Sequence, residues 1–328
     1  MNTPKRYLVA SSPHIGARED TRSIMLDVII ALCPALVVAV YFFGWRALMV
    51  TLITVASAVL FEFLFCKIMK KPQAVYDLSA VVTGLILGLN LPVSVPFWIG
   101  IVGSAFAILI VKQLYGGIGK NFMNPALAAR VFLFSWPDIM ASAPDVFNPL
   151  PVFSNAVDVI TSATPLASMR QGVLPNYSLM EMLLGQHGGC IGETSSLILL
   201  MGGAYLVLRK VITPRIPLFY LGTVALLTFL FPRGGIAAHE WMLYQLLSGG
   251  LILGAVFMAT DYTTSPITKT GKAFFGIGCG LLTILIRYFG SYYEGVSFAI
   301  LIMNSCTWLF DKISKPRRFG TKKAGKAA

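Results

Sequence analysis

The sequence predicts an all-α integral membrane protein of about ten transmembrane helices in two inverted five-helix repeats, some of them short or broken. Three observations carry this. Of 328 residues, 56% are hydrophobic and 12% charged, about half the ~25% charged share of soluble domains. Apolar segments recur near residues 24–43, 47–66, 78–91, 97–114, 126–136, 195–208, 216–231, 242–259, 273–288 and 296–310. Lys and Arg gather in alternate connections between those segments.

Residues 1–23 contain Lys5, Arg6, Arg18, Glu19, Asp20 and Arg22. No apolar run ending in a small-residue cleavage site occurs there, so no cleaved signal peptide is expected and the first apolar stretch is a retained span. A crossing needs ~20 apolar residues, and shorter runs signal tilted or broken helices. Cytoplasmic connections retain Lys and Arg. A cytoplasmic N-terminus puts Lys67, Lys70, Lys71, Lys112, Lys120, Arg209, Lys210, Arg215, Lys269 and Lys272 inside, with the basic tail 312–328. Only Arg46, Arg170 and Arg233 are left outside. Both termini are therefore expected in the cytoplasm.

The segments divide into a first repeat, 24–136, and a second, 194–311. Between them lies an extracytoplasmic loop, 137–193, of soluble composition. Gly84-Leu85-Ile86-Leu87-Gly88 recurs as Gly250-Leu251-Ile252-Leu253-Gly254, in what would be the third and eighth spans. An odd span count per half inverts the second copy. Each short segment ends in breakers, Asn90-Leu91-Pro92 in one and Thr260-Asp261 through Ser265-Pro266 in the other. Free backbone groups are tolerated inside a membrane only where they line a cavity, so the paired breaks point to a central site.

The net charge of +12 is dispersed between apolar runs. A nucleic-acid binder would concentrate it on one soluble face, so the lipid bilayer, not nucleic acid, is the expected partner. Cys33, Cys66, Cys190, Cys279 and Cys306 lack clustered ligand spacing, so no metal site made by this chain alone is expected. His14, His187 and His239 lie outside the apolar runs, which makes haem the weakest cofactor reading. A Walker-type loop is excluded, because no Gly-Lys-Ser/Thr follows at the required spacing.

Intramembrane ionisable groups are costly and usually functional. Asp27, Glu62, Asp77, Arg130, Asp261, Arg287 and Glu294 lie within or beside spans. Asp27 and Arg287, near span ends, are expected to snorkel to water. Arg130 follows the stretch Gly116-Gly117-Ile118-Gly119-Lys120-Asn121-Phe122-Met123-Asn124-Pro125. Its glycines suit an anion-binding nest, and Asn124-Pro125 suits a helix start.

The loop stretch Asp158-Val159-Ile160-Thr161-Ser162-Ala163-Thr164 reads by composition as a Ser/Thr turn. It also resembles the flavin-attachment signature, Asp-x-x-Ser/Thr-Gly/Ser-Ala-Thr, of membrane flavoproteins in the Rnf and sodium-pumping NADH:quinone oxidoreductase complexes. The Gly-rich stretch before Arg130, the stretch Phe257-Met258-Ala259-Thr260-Asp261 with Thr264-Ser265-Pro266, and Tyr293-Glu294-Gly295 through Asn304 extend the resemblance over most of the chain. Its length favours the Rnf branch.

The resemblance implies FMN joined through its phosphate to Thr164 by a dedicated transferase, with Asp158, Thr161, Ser162 and Ala163 supporting attachment. It implies a non-covalent riboflavin among the spans, for which Asn124, Arg130 and Asp261 are the candidate contacts for flavin or ion path. It further implies electron flow between ferredoxin and NAD coupled to Na+ or H+ movement, with partner subunits of the A, B, C, E and G types. The chain has no nucleotide fingerprint or ferredoxin-type cysteines and needs such partners. A secondary transporter or channel is the alternative that the repeat and broken helices favour, and a purely structural role in assembly is a third.

Overall fold

The computed structural model describes residues 20–73, 75–140, 151–152, 164–193, 195–290, 292 and 294–315. Among them every regular element is helical, and Pro92 and Cys190 form an isolated antiparallel bridge.

Helix α1, Thr21–Phe43, starts where the Asp20 carboxylate accepts from the Ser23 amide. It stops at Gly44, whose φ of 77° no side-chain-bearing residue adopts easily, and α2, Trp45–Ile68, begins one residue later. After a 3-10 turn at Val75–Asp77 come α3, Ser79–Leu89, and α4, Phe97–Ala105, which continues as a π-helix over Phe106–Gln113. Helix α5, Pro125–Leu133, opens as its sequence foretold. Asn124 caps the amides of Ala126 and Leu127, and Pro125 takes the first turn, where its missing N–H costs nothing. The short α6 is Pro137–Met140.

The long connection carries α7, Pro165–Arg170, α8, Leu179–Leu184, and a 3-10 turn at Ile191–Glu193. The remaining helices are α9, Ser196–Leu208, α10, Arg215–Leu230, α11, Ala238–Leu247, and α12, Leu251–Leu253, which runs on as a π-helix to Met258. Then follow α13, Lys269–Phe289, α14, Val296–Ser305, and α15, Thr307–Ile313.

Among the described residues, α1, α2 and α13 are long and apolar enough to cross a membrane. Two bent pairs pass the same test, α11 with α12 and its π-helix at 66°, and α14 with α15 at 53°. The apolar stretches α3, α4 with its π-helix, α9 and α10 are shorter. The chain is thus a multi-pass membrane protein with several interrupted helices.

The second GLILG segment departs from expectation in one respect. It ends where expected, its π-helix stopping at Met258 before Thr260-Asp261, but it is broken a second time at Ser248–Gly250, where the second GLILG copy begins. The first copy stays helical because Gly84 and Gly88 let α3 lie directly on α2. A Cβ on Gly84 would stand 2.7 Å from the Val55 Cα and 3.0 Å from the Thr54 carbonyl oxygen. Backbone cannot step aside as a side chain can. Gly84→Val is therefore expected to separate α2 from α3 at a cost of about 1–3 kcal/mol, read as a lowered thermal unfolding midpoint in detergent.

Candidate functional site

Two polar regions occur inside the helical core, stacked along the same short elements. The first is a cavity of about 370 Å³ that includes Lys112, Asn121, Asn124, Thr260, Asp261 and Thr263 among its lining residues, with apolar walls from Val28, Ile86 and Phe257. The Asn124 amide caps α5 with its oxygen and donates through Nδ2 to the Met258 carbonyl at 3.4 Å. Asn121 donates to the Thr263 hydroxyl at 3.1 Å, and Thr263 and Thr264 donate to the Asp261 carboxylate. Burial pushes the Asp261 carboxyl above the usual carboxylate range, against those stabilising donors.

The cavity wall is backed by a buried ion pair. Lys112 Nζ lies 2.7 Å from Glu62 Oε1 and donates to Ser79 Oγ at 2.6 Å, while Gln113 donates to the same carboxylate at 2.7 Å. Lys112 is 3% exposed and Glu62 0%. Lys112, which the sequence puts on the cytoplasmic side, is turned inward from the π-helix onto Glu62 and does not stand exposed in a connection.

The second region centres on Arg130, on α5. Its Nη1 donates to Asn90 Oδ1 at 2.6 Å and to Glu294 Oε1 at 2.9 Å, and Nη2 pairs closely with Glu294 Oε2. Nη2 also approaches Cys190 Sγ at 3.3 Å and Glu193 Oε1 at 3.6 Å. From Asn124 to Arg130, six positions along α5, the rise is about 9 Å. The three residues expected to form one site are therefore divided: Asn124 and Asp261 meet at the cavity, and Arg130 faces the carboxylates beyond it.

Cys190, Glu193 and Glu294 place potential metal-ligand atoms within 4.8 Å of one another. Arg130 already supplies the positive charge these groups call for, and burial raises the Cys190 thiol well above its ordinary value, holding it protonated. Burial likewise pushes up the Glu294 carboxyl, with the Arg130 charge opposing it. The arrangement is a closed ion-pair cluster. Sequence spacing could not reveal it, since Arg130 and Glu294 are 164 positions apart. The breaker Asn90-Leu91-Pro92 and the ionisable residues Arg130 and Glu294 beside their spans were the local signals.

Two other expectations are overturned. Asp27 is 8% exposed and accepts from Tyr205 at 2.8 Å and Arg209 at 3.2 Å, tying α1 to α9. Arg287 is 4% exposed and donates to the Gln245 carbonyl at 2.7 Å and the Ser248 carbonyl at 2.9 Å. Neither snorkels. Each is worth more inside: Arg287 satisfies carbonyls left open at the end of α11, where a cation also suits the helix dipole.

Thr164 is the N-cap of α7, its Oγ1 accepting from the Ala167 amide at 3.3 Å, and its side chain is half-buried. Helix α7 is anchored by Leu166 and Met169, which pack with Met182, Trp241 and Tyr244. Leu166 reaches the Ser248–Gly250 break, lying 3.5 Å from a Cβ placed on Gly249. Asp158, Thr161, Ser162 and Ala163 lie outside the described residues. Of the Gly-rich stretch, Gly116, Gly117 and Gly119 have φ of 114°, 92° and 85°. The first α5 amides, which an anion there would use, are taken by Asn124.

Arg46, assigned by sequence to an outer connection, is 2% exposed. Its guanidinium donates to the carbonyls of Val93 at 2.9 Å, Ser94 and Val95 at 3.3 Å, Pro151 at 3.1 Å and Val152 at 3.2 Å. It thus joins the turn after α3 to the chain twelve positions before Thr164. Arg46→Met strips those carbonyls of donors, at about 1–3 kcal/mol for each one left buried and unsatisfied. Amide hydrogen exchange at Ser94, Val95 and Val152 is expected to accelerate while the interior of α13 stays protected.

A family model described as NQR2, RnfD, RnfE matches residues 8–320. The D subunit of the Na(+)-translocating ferredoxin:NAD(+) oxidoreductase complex of Acetobacterium woodii is 48% identical over 324 residues, 98% of this chain and 97% of that one. The D subunit of the proton-translocating ferredoxin:NAD(+) oxidoreductase complex of Clostridium ljungdahlii is 40% identical over 97% of each. The D subunit of the ion-translocating oxidoreductase complex of Stutzerimonas stutzeri is 38% identical over 94% of this chain and 95% of the relative.

Proposed function

The chain belongs to the NQR2, RnfD, RnfE family, and from that premise we propose that it is the D-type membrane subunit of an Rnf-type ferredoxin:NAD+ oxidoreductase complex, relaying electrons in step with Na+ or H+ translocation. The observation that carries this is near-full-length identity of 48% and 40% to two proteins bearing that description. Catalysis belongs to the assembled complex. Subunits of the A, B, C, E and G types would supply the nucleotide and iron–sulfur chemistry that this chain lacks.

FMN is proposed on Thr164 through a phosphoester. The chain's own geometry fits it: the hydroxyl is partly open, it caps a short helix, and Leu166 and Met169 hold that helix against the core. A flavin tethered there exchanges electrons through a ring the ester leaves unaltered. Riboflavin is proposed in the cavity at Asn124 and Asp261. Apolar walls with a few convergent amide, hydroxyl and carboxylate groups suit an uncharged ring system with polar edges. Arg130 is not a contact of that cavity.

Ten spans in two inverted repeats remain our proposal for the topology, with both termini cytoplasmic, the loop bearing Thr164 outside, and the bacterial inner membrane as location. Packing supports the duplication. Helix α2 lies against α3 and α4 as α10 lies against α11 and α13, α1 meets α9, and α5 meets α14. The broken helices and central cavity also favour a secondary transporter or channel, which would need no flavin. The test is flavin fluorescence of the denatured wild-type chain in a gel, from a host supplying the flavin transferase; a dark band would sink the flavin reading and leave the transporter.

A further inference from the structure

The core is hollow at one end and clamped at the other. Residues of both halves line the cavity, Ile86 and Asn124 from the first, Phe257 and Asp261 from the second. About 9 Å nearer α7 along α5, Arg130 joins the halves by its bonds to Asn90 on one side and Glu294 and Ser297 on the other.

Apart from α13, which brings Arg287, the elements meeting there are short or interrupted. Asn90 ends α3, α5 is short, and a Cβ on Gly250, at the break between α11 and α12, would stand 2.8 Å from Glu294 Oε1, 3.7 Å from Arg130 Nη1 and 3.7 Å from Glu193 Oε1. Interrupted helices have loose ends that move without unfolding a span. A buried ion pair joining such ends holds them strongly only while both partners are present, because a lone buried charge draws in water.

We propose that the Arg130–Glu294 pair, with Asn90 and Glu193, is a latch that keeps the two halves closed on the α7 side of the membrane, and that releasing it opens this end of the core to water. The groups facing Glu294 are Arg130 from α5, Glu193 and Cys190 from the connection before α9, and Arg287 from α13. Their charges balance when the carboxylates are ionised and the thiol is protonated. Neutralising Glu294 leaves Arg130 with Glu193 at 3.6 Å as its nearest anion, in the connection between the halves. The inference holds whether or not Thr164 carries flavin.

Cys190, beneath Arg130, is a natural reporter. In membrane vesicles holding the full complex, with Cys33, Cys66 and Cys306 of this chain changed to Ala, Cys190 is labelled with N-ethylmaleimide and with a bulky polyethylene-glycol maleimide. The ratio of the two rates cancels any change in thiol acidity and reads access alone. Glu294→Gln is expected to raise the bulky-to-small ratio about ten-fold or more, Glu294→Asp less. Cys279, 0% exposed in α13, should stay unlabelled throughout. An unchanged ratio, even with both rates faster, overturns the latch. Labelling of Cys279 alongside Cys190 overturns it too, because the loosening would then be general.

Discussion

Thr164→Val is expected to abolish covalent flavin on this chain, leaving a dark band where the wild type fluoresces after denaturation. The proposed ester uses Oγ1, and valine keeps the shape of threonine but has no oxygen to esterify. The same oxygen accepts from the Ala167 amide, so its loss also removes an N-cap worth about 1 kcal/mol. That is too little to unseat α7, which Leu166 and Met169 anchor in a packed cluster. Two companions separate the roles. Thr164→Asp retains a capping oxygen but no hydroxyl and should be equally dark. Thr164→Ser retains both and should keep a band. Fluorescence surviving in the valine variant would move the attachment to another residue.

Lys112→Met should cost about 3–5 kcal/mol by leaving the Glu62 carboxylate buried without its cation. Glu62 is 0% exposed, and its second oxygen, Oε2, already has no hydrogen-bond partner among the described residues. Gln113 donates one bond at 2.7 Å but no charge. A double replacement, Glu62→Leu with Lys112→Met, removes both charges and should return the thermal unfolding midpoint close to wild type. If it does, while electron transfer by the complex still fails, the pair serves the cavity that Lys112 helps to line and not stability. A double variant as unstable as the single one would show that desolvation of Glu62 is not the cause.

The two buried pairs explain where sequence reading stopped. Charges were counted as markers of loops, a sound rule for residues that reach water. Lys112 and Arg46 do not reach water, since one is turned inward from a π-helix and the other is gripped by main-chain carbonyls. Asp27 and Arg287 break the companion rule of snorkelling for a related reason. Each has a partner supplied by a helix distant in sequence, and a paired buried charge need not seek water.

What the sequence by itself determined was local. Hydropathy marked the helical segments and Asn124-Pro125 the start of α5, while the Ser/Thr-rich stretch ending at Thr164 read as a turn. These features depend on neighbours within a turn or two, so composition and spacing encode them. Only the tertiary structure decided that Asn124 and Asp261 share a cavity while Arg130 joins Glu294, Glu193 and Cys190 beyond it. Arg130 and Glu294, 164 positions apart, meet because interrupted helices from two halves end at one level, and no spacing rule carries that distance. The inverted repeat lies between these cases. Its sequence trace is a five-residue echo, and its physical support is the matched packing of α2 and α10 with their neighbours, since duplicated surfaces seek duplicated partners.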